Sequence, residues 1–300
     1  MKKIQIVGIG EALVDILDNQ KFAGGTSSNF VQATASLDYT SALVSAVGKD
    51  ENGNFLLNQL KERNAITDFV QTKKTGTGTV NITLEGTEPK FDISKNSASD
   101  LIEWSKDLQK LAQKIELVYF GSFGQRNKVS RNTIQKFIKE STGKKLFDVN
   151  LRVKWNAHLV KEIILPCLKH TNLLKLNEQE AFCFRKWLKQ KTNEKLVKKL
   201  FGKYKTLELI AITQGENGCE LYTKKQKTQV SGFSVKAVDA TGCGDAFSAG
   251  LAVAYLEKKN LEELGEFANA CGALAATQIG ASPKLERKKI EKFLEQKRII

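Results

Sequence analysis

The chain has 300 residues, 41% of them hydrophobic and 27% charged, and carries a net charge of +14. This is a globular balance, long enough for one large domain over 1–300, with no run of about 18 apolar residues to span a membrane and no secretory leader pattern at Met1 to Gly8. The five cysteines (Cys167, Cys183, Cys219, Cys243, Cys271) form no C-x-x-C pair and His158 and His170 are the only histidines, which argues against a zinc site and for reduced thiols in a cytoplasm. The lysines are spread over many segments without interleaved aromatics, so they read as solvated surface, and neither nucleic acid nor a membrane is an expected partner.

In chain order, the apolar run Ile4–Gly10 predicts a strand, and Thr26–Leu37 predicts a helix capped at Thr26 or Ser27. Ser41–Gly48 follows as a strand and Asn52–Arg63 as a helix. Lys74–Ile93 breaks the pattern: it is rich in Thr and Gly, alternates Val80, Ile82 and Leu84, and reads as a hairpin outside the main sheet. Further strands are predicted at Leu117–Gly121, Leu146–Val149, Leu173–Leu176 and Leu209–Thr213. Helices are predicted at Ser130–Glu140, Glu178–Lys189, Glu194–Phe201, Ala246–Lys258 and Leu261–Gln278. Doubly buried strands alternating with helices predict an α/β fold, a three-layer sandwich around a mostly parallel sheet. The segments about 11–24 and 74–96 are expected to form a small β-sheet lid over the site.

The strongest chemical signal is Asp239-Ala240-Thr241-Gly242-Cys243-Gly244-Asp245, followed by a helix of small residues. Gly242, Cys243 and Gly244 at a helix mouth can aim consecutive backbone N–H groups outward, where the helix dipole favours an anion. Asp245 at the edge of that turn can take a proton from an attacking hydroxyl. The competing reading is an ordinary Gly-rich helix start. No GxxxxGK[ST] run is present, so the phosphate site is not a P-loop.

This run resembles the second signature of the ribokinase family, the PfkB carbohydrate kinases, and the resemblance extends along nearly the whole chain. Gly24-Gly25-Thr26-Ser27-Ser28-Asn29 is similar to the family's first signature, and Val47-Gly48-Lys49-Asp50-Glu51-Asn52-Gly53 to its VGxDxxG. Phe147-Asp148-Val149-Asn150-Leu151-Arg152 resembles the D-x-N-x-R strand of fructokinases and 2-dehydro-3-deoxygluconate kinases. Lys175-Leu176-Asn177-Glu178-Gln179-Glu180 matches N-x-x-E, and Thr213-Gln214-Gly215-Glu216-Asn217-Gly218 matches T-x-G-x-x-G.

The resemblance implies an ATP-dependent kinase acting on a sugar hydroxyl, with Mg2+ and a K+ site. Asp245 would be the base, Gly242, Cys243 and Gly244 the anion hole, and Arg152 a contact to the transferring phosphate. Asp15, Gly24, Gly25 and Asn29 would hold the sugar. Asn150, Lys175, Asn177, Thr213, Gly215, Gly218, Asn269 and Gly272 would border the nucleotide. Glu180 would act on Mg2+ through water, and Asp239, Thr241 and Gly280 would flank K+. Three of these side chains have competing roles: Asn29 as a helix cap, Arg152 in a surface ion pair, and Glu180 as a dipole-favoured helix start. The opening Gly8-Ile9-Gly10-Glu11-Ala12-Leu13-Val14-Asp15 resembles that of fructokinases, implying D-fructose and its 6-hydroxyl; 2-dehydro-3-deoxygluconate, a nucleoside, or a catalytically silent binding relative are the alternatives. Lys49 and Arg126 are the only basic candidates for binding a phosphorylated sugar. Two departures stand out: Thr26-Ser27, where polar side chains could alter the sugar contacts, and Cys243 in place of alanine. At a helix N-terminus Cys243 is expected to be an accessible, reactive thiol. Exposed lid edges carrying Val80, Ile82 and Leu84 are expected to form a homodimer.

Overall fold

The computed structural model describes residues 3–17, 20–85, 88–152 and 154–298. The chain begins with β1 (Ile6–Ile9), β2 (Leu13–Leu17), β3 (Gln20–Gly24), α1 (Thr26–Ser36), β4 (Ser41–Gly48) and α2 (Glu51–Glu62). It continues through β5 (Val70–Lys73), β6 (Gly78–Glu85), β7 (Glu88–Ile93), α3 (Lys106–Ala112), β8 (Leu117–Gly121), α4 (Lys128–Glu140) and β9 (Lys144–Asp148). A π-helical turn, Val160–Ile164, joins α5 (Ala157–Leu159) to α6 (Leu165–Leu168). The remainder is β10 (Leu173–Asn177), α7 (Glu178–Leu188), α8 (Asn193–Lys203), β11 (Leu209–Thr213), β12 (Cys219–Tyr222), β13 (Lys227–Val230), α9 (Cys243–Leu256), α10 (Leu261–Ala276) and α11 (Arg287–Arg298).

Among the described residues the main sheet has nine strands in the order β13-β12-β11-β10-β9-β8-β1-β4-β5. From β5 to β11 every pairing is parallel; β12 and β13 extend the sheet antiparallel. Successive side chains alternate faces. Val7, Ile9, Val118 and Phe120 join one core with Phe137, Phe184 and Leu200 of the helices on that side. Ile6, Leu117, Tyr119 and Leu146 join the other, with Phe30, Phe247 and Phe267. The expected three-layer sandwich is therefore the fold. β5, β12, β13, α3, α5, α6 and α11, which are short or largely polar, are absent from the sequence-based expectations.

β1 pairs with β4 on one side and β8 on the other, so the chain builds the sheet outward in both directions from this point. Such a switch leaves a crevice at the carboxyl ends of the strands, where α/β proteins bind ligands. The turns after β1, β8, β9 and β10 all open there.

The second sheet, β3-β2-β6-β7, comes from the two segments the sequence sets apart. Asp50 fixes its root to the main sheet. Asp50 Oδ1 accepts from Thr77 Oγ1 (2.7 Å) and Gly53 N (2.8 Å), and Oδ2 accepts from Thr77 N (2.7 Å). Thr77 Oγ1 in turn accepts from Gly48 N at 2.8 Å. The VGxDxxG-like run is thus the clasp for β6. Val80, expected to be exposed, is instead buried with Leu13 and Phe123 beneath the small sheet; the side chains of Ile82 and Leu84 lie outside the described residues.

Asp50→Ala should lower stability by about 1–3 kcal/mol through its unpaired donors and speed proteolytic cleavage within 74–96. Thermal melts and limited proteolysis check this; an unchanged melt with unchanged cleavage contradicts the clasp.

Candidate active site

α9 begins where the sequence places its glycine turn. Gly242 is the residue before the helix and has φ +77°; a Cβ there would lie 2.0 Å from the Ala281 carbonyl oxygen, so no other residue fits without moving the loop. Asp245 falls in the first turn of the helix and is 4% exposed. Its Oδ2 accepts from Asn29 Nδ2 at 2.8 Å, and its Oδ1 from Asn150 Nδ2 at 3.4 Å. Burial pushes its pKa to about 7; Asp148 adds repulsion, while the Asn29 bond, Arg152 and Lys175 oppose the rise. A carboxylate held near 7 suits a general base at neutral pH.

Beneath the turn lies a buried ion pair. Lys175 Nζ is 3.1 Å from Asp148 Oδ1, with the two side chains 5% and 0% exposed. A Cβ on Gly244 would sit 3.3 Å from that ammonium. Burial works against the Lys175 charge, but Asp148, Glu180 and Asp245 outweigh it and raise its pKa, so the lysine stays charged. Asp148 Oδ2 accepts from Ser248 Oγ at 2.9 Å, tying β9 to α9 one turn beyond the base. Glu180 is 1% exposed, and both its oxygens accept backbone N–H groups: Leu151 N at 2.7 Å and Asn177 N at 2.8 Å. With Asn177 Oδ1 accepting from Glu180 N, it closes a capping box on α7. Its geometry makes Glu180 a clamp on the 150–152 turn. Arg152 is exposed, and its charge reaches both Asp15 and Asp245.

On the other side of the base, Asp15 of β2 is 9% exposed and packs against Gly24 of β3, where a Cβ would meet its carboxylate at 2.3 Å. Burial raises the Asp15 pKa to about 6, opposed by Arg152 and reinforced by Asp239. Gly25, not Thr26 or Ser27, is the residue before α1, and no side chain of its own caps that helix. Glu11 takes over: its Oε1 accepts from Thr26 N (3.3 Å) and Thr26 Oγ1 (2.5 Å). Ser27 Oγ is turned onto Gly10. The polar departure from the family signature therefore faces the protein. Asn29 binds Asp245 and does not cap its helix.

The residues assigned to nucleotide and cation form two further groups. Thr213 ends β11, and Gly215 (φ +57°) and Gly218 (φ +93°) shape the turn into β12. Asn269 Nδ2 donates to Val230 O (3.2 Å) and Ser231 O (3.0 Å), and Gly272 lets α10 approach Cys243. Asp239 Oδ1 accepts from Thr241 N (2.8 Å) and Oδ2 from Gly280 N (2.9 Å), joining two loops. Burial alone would raise the Asp239 pKa, but these bonds win and lower it.

Residues 6–288 match the pfkB family carbohydrate kinase pattern. The chain belongs to the pfkB family of carbohydrate kinases. Fructokinase-2 of Zea mays is 29% identical over 309 residues, covering 93% of this chain and 90% of its own. An uncharacterized sugar kinase from Pyrococcus horikoshii, crystallised in complex with ATP, is 28% identical with a TM-score of 0.82 over 98% of this chain and 100% of that one. Fructokinase from Vibrio cholerae, crystallised with fructose, ADP and calcium ion, is 27% identical with a TM-score of 0.83 over 97% and 99% of the two chains.

ATP with Mg2+ is the typical phosphoryl donor of pfkB kinases. The residues present fit it: Gly242 and Gly244 leave the mouth of α9 without side chains, and Lys175 Nζ lies 3.3 Å from where a Cβ on Gly244 would sit. Among the described residues no three of His, Cys, Asp and Glu gather as a metal cage. Cys243 corrects its expectation. The thiol is half-buried, and burial first, then Asp239 and Asp245, push its pKa to about 11, overriding the helix terminus. Arg126 is likewise spent: its Nε and Nη2 each lie 2.6 Å from an oxygen of Asp100. The sequence reading leaves Glu11, Asp148 and Ser248 without roles, although the first two stand inside quoted motifs.

The raised pKa of Asp245 has a stability cost. A proton bound more tightly in the folded state stabilises it fully below about pH 4, and that contribution is lost as pH rises through about 7. Asp245→Asn should therefore melt higher than the parent protein at pH 8, with the gap narrowing by pH 5. A gap independent of pH contradicts the assignment.

Proposed function

We propose that this pfkB kinase transfers the γ-phosphoryl group of ATP to the 6-hydroxyl of D-fructose, with Asp245 as general base. The observation that carries the reading is the buried Asp245 carboxylate, held by Asn29 and Asn150 in the first turn of α9. Asp245 accepts the hydroxyl proton as the new O–P bond forms and the bond from Pγ to the ADP leaving oxygen breaks. The Gly242–Gly244 N–H groups and Arg152 hold the charge of the moving phosphoryl group. Glu180, which clamps the turn that carries Arg152, would hold Mg2+ through water, and the ion would supply neutralisation of charge on the donor phosphates. Asp15, Gly24, Gly25 and Asn29 receive the sugar. Thr213, Gly215, Gly218, Asn177, Asn269 and Gly272 border the nucleotide.

The fructose reading draws on the fructokinases among the relatives and on Arg126, which its pairing with Asp100 removes as a partner for a phosphorylated sugar. In this reading 1–300 is one catalytic domain whose small sheet closes as a lid and pairs with a second copy through a free edge. Asp239, Thr241 and the Gly280 segment would hold K+, which would stiffen the turn behind the anion hole. Five free cysteines fit a reducing cytoplasm, with sugar and ATP as the partners and neither nucleic acid nor membrane among them.

Asp245→Asn should keep substrate binding and lose about 10²–10⁴-fold in turnover. The decisive comparison is kcat/KM for fructose, 2-dehydro-3-deoxygluconate, ribose, adenosine and fructose 6-phosphate. Fructose should lead; a tenfold lead for any other removes the fructose reading, and turnover by Asp245→Asn within about threefold of the parent removes the base.

A further inference from the structure

We propose that Ser282 is a positioning residue for the catalytic base: its hydroxyl sets the orientation of the Asn29 amide and, through that amide, of the Asp245 carboxylate. Ser282 Oγ lies 2.6 Å from Asn29 Oδ1 and 3.0 Å from the Ala23 carbonyl. It also accepts from Gln32 Nε2 at 3.2 Å. Gln32 is 2% exposed, and the same nitrogen reaches Ser28 Oγ at 3.2 Å. An amide nitrogen only donates. With Gln32 donating to it, Ser282 has one proton to give, and its shorter contact is to Asn29. Asn29 Oδ1 is then the acceptor end of its amide, so Nδ2 must point the other way, at Asp245 Oδ2 2.8 Å off. The sense of donation runs unbroken from Gln32 through Ser282 and Asn29 to the base. A flipped Asn29 would set its carbonyl oxygen against the carboxylate.

The loop carrying Ser282 is itself held. Gly280 N donates to Asp239, and the Ser282 carbonyl accepts from Arg63 Nη2 at 3.3 Å. The Ala281 carbonyl backs onto Gly242. One short loop therefore touches both the turn that would hold phosphate and the amide that steers the base. The other charged or titratable groups facing Asp245 are Asp148, Lys175, Arg152, Tyr119 and Cys243, and none of them bonds to Ser282.

This inference rests on the kinase reading with Asp245 as base. The test is kcat and KM against pH for the parent, Ser282→Ala and Ser282→Thr, with ATP, Mg2+ and whichever sugar of the panel the parent turns over best. Without the serine hydroxyl the Asn29 amide is free to turn and the bond that favours ionised Asp245 weakens. Ser282→Ala should move the acidic limb of kcat/KM upward by about half a pH unit or more and lower kcat/KM at pH 7 by about tenfold. Ser282→Thr keeps the hydroxyl and should bring both back to within about threefold of the parent. If Ser282→Ala does not fold, Ser282→Cys, of similar size but a weak donor, takes its place with the same expectation. An acidic limb that stays put while activity or melting temperature falls, or a folded Ser282→Thr that restores neither value, overturns the inference. Full activity in Asp245→Asn would instead strike the underlying reading.

Discussion

The structure depends on keeping one carboxylate out of water without neutralising it fully. Asp245 is almost completely buried at the N-terminus of a 14-residue helix, yet among the described residues its oxygens bond two side-chain amides and no cation. A bidentate arginine there would pull the pKa down and weaken the base. Complete isolation would keep it protonated. The amides of Asn29 and Asn150 give an intermediate result, with Lys175 one layer below and already paired to Asp148. The arrangement needs contributions from α1, β9, β10 and α9 at one point, which the switch between β1 and β8 supplies.

The same requirement links the small sheet to the main body. Phe22 of β3 lies where a Cβ on Gly280 would come within 2.8 Å of its ring, and Ser282 Oγ reaches the Ala23 carbonyl. β2 carries Asp15 into the crevice, while the Asp50–Thr77 clasp fixes the root of the sheet where β6 begins. Movement of the small sheet would therefore be felt at the loop behind the glycine turn and at the sugar side together. Such packing trades stability for function: Asp15 and Asp245 are both acids whose burial raises their pKa, and each costs folding energy when ionised.

Much of this was legible in the sequence because it is local. The glycine turn, the helix that follows it, the alternating strands and the separate Lys74–Ile93 hairpin are patterns of neighbouring residues. What failed to show is long-range or depends on burial. Asn29 meets Asp245 across 216 residues and Ser282 across 253, and nothing in Gly280-Ala281-Ser282-Pro283 alone announces such a contact. Thr26 looked like a cap, but Glu11, fifteen residues earlier, performs that role. Cys243 looked reactive because a helix terminus is visible in sequence, whereas the flanking carboxylates and the loss of water are tertiary effects. Val80 read as exposed because alternation gives a face without saying which face is covered.

The central claim is that burial holds Asp245 near neutrality, and direct titration tests it most closely. Carbon-13 carboxyl NMR of aspartate-labelled protein, with the Asp245 signal assigned by its disappearance in Asp245→Asn, reads the group without relying on turnover. The account predicts a midpoint close to 7 in the free enzyme. A midpoint at the ordinary aspartate value of about 4 would contradict it.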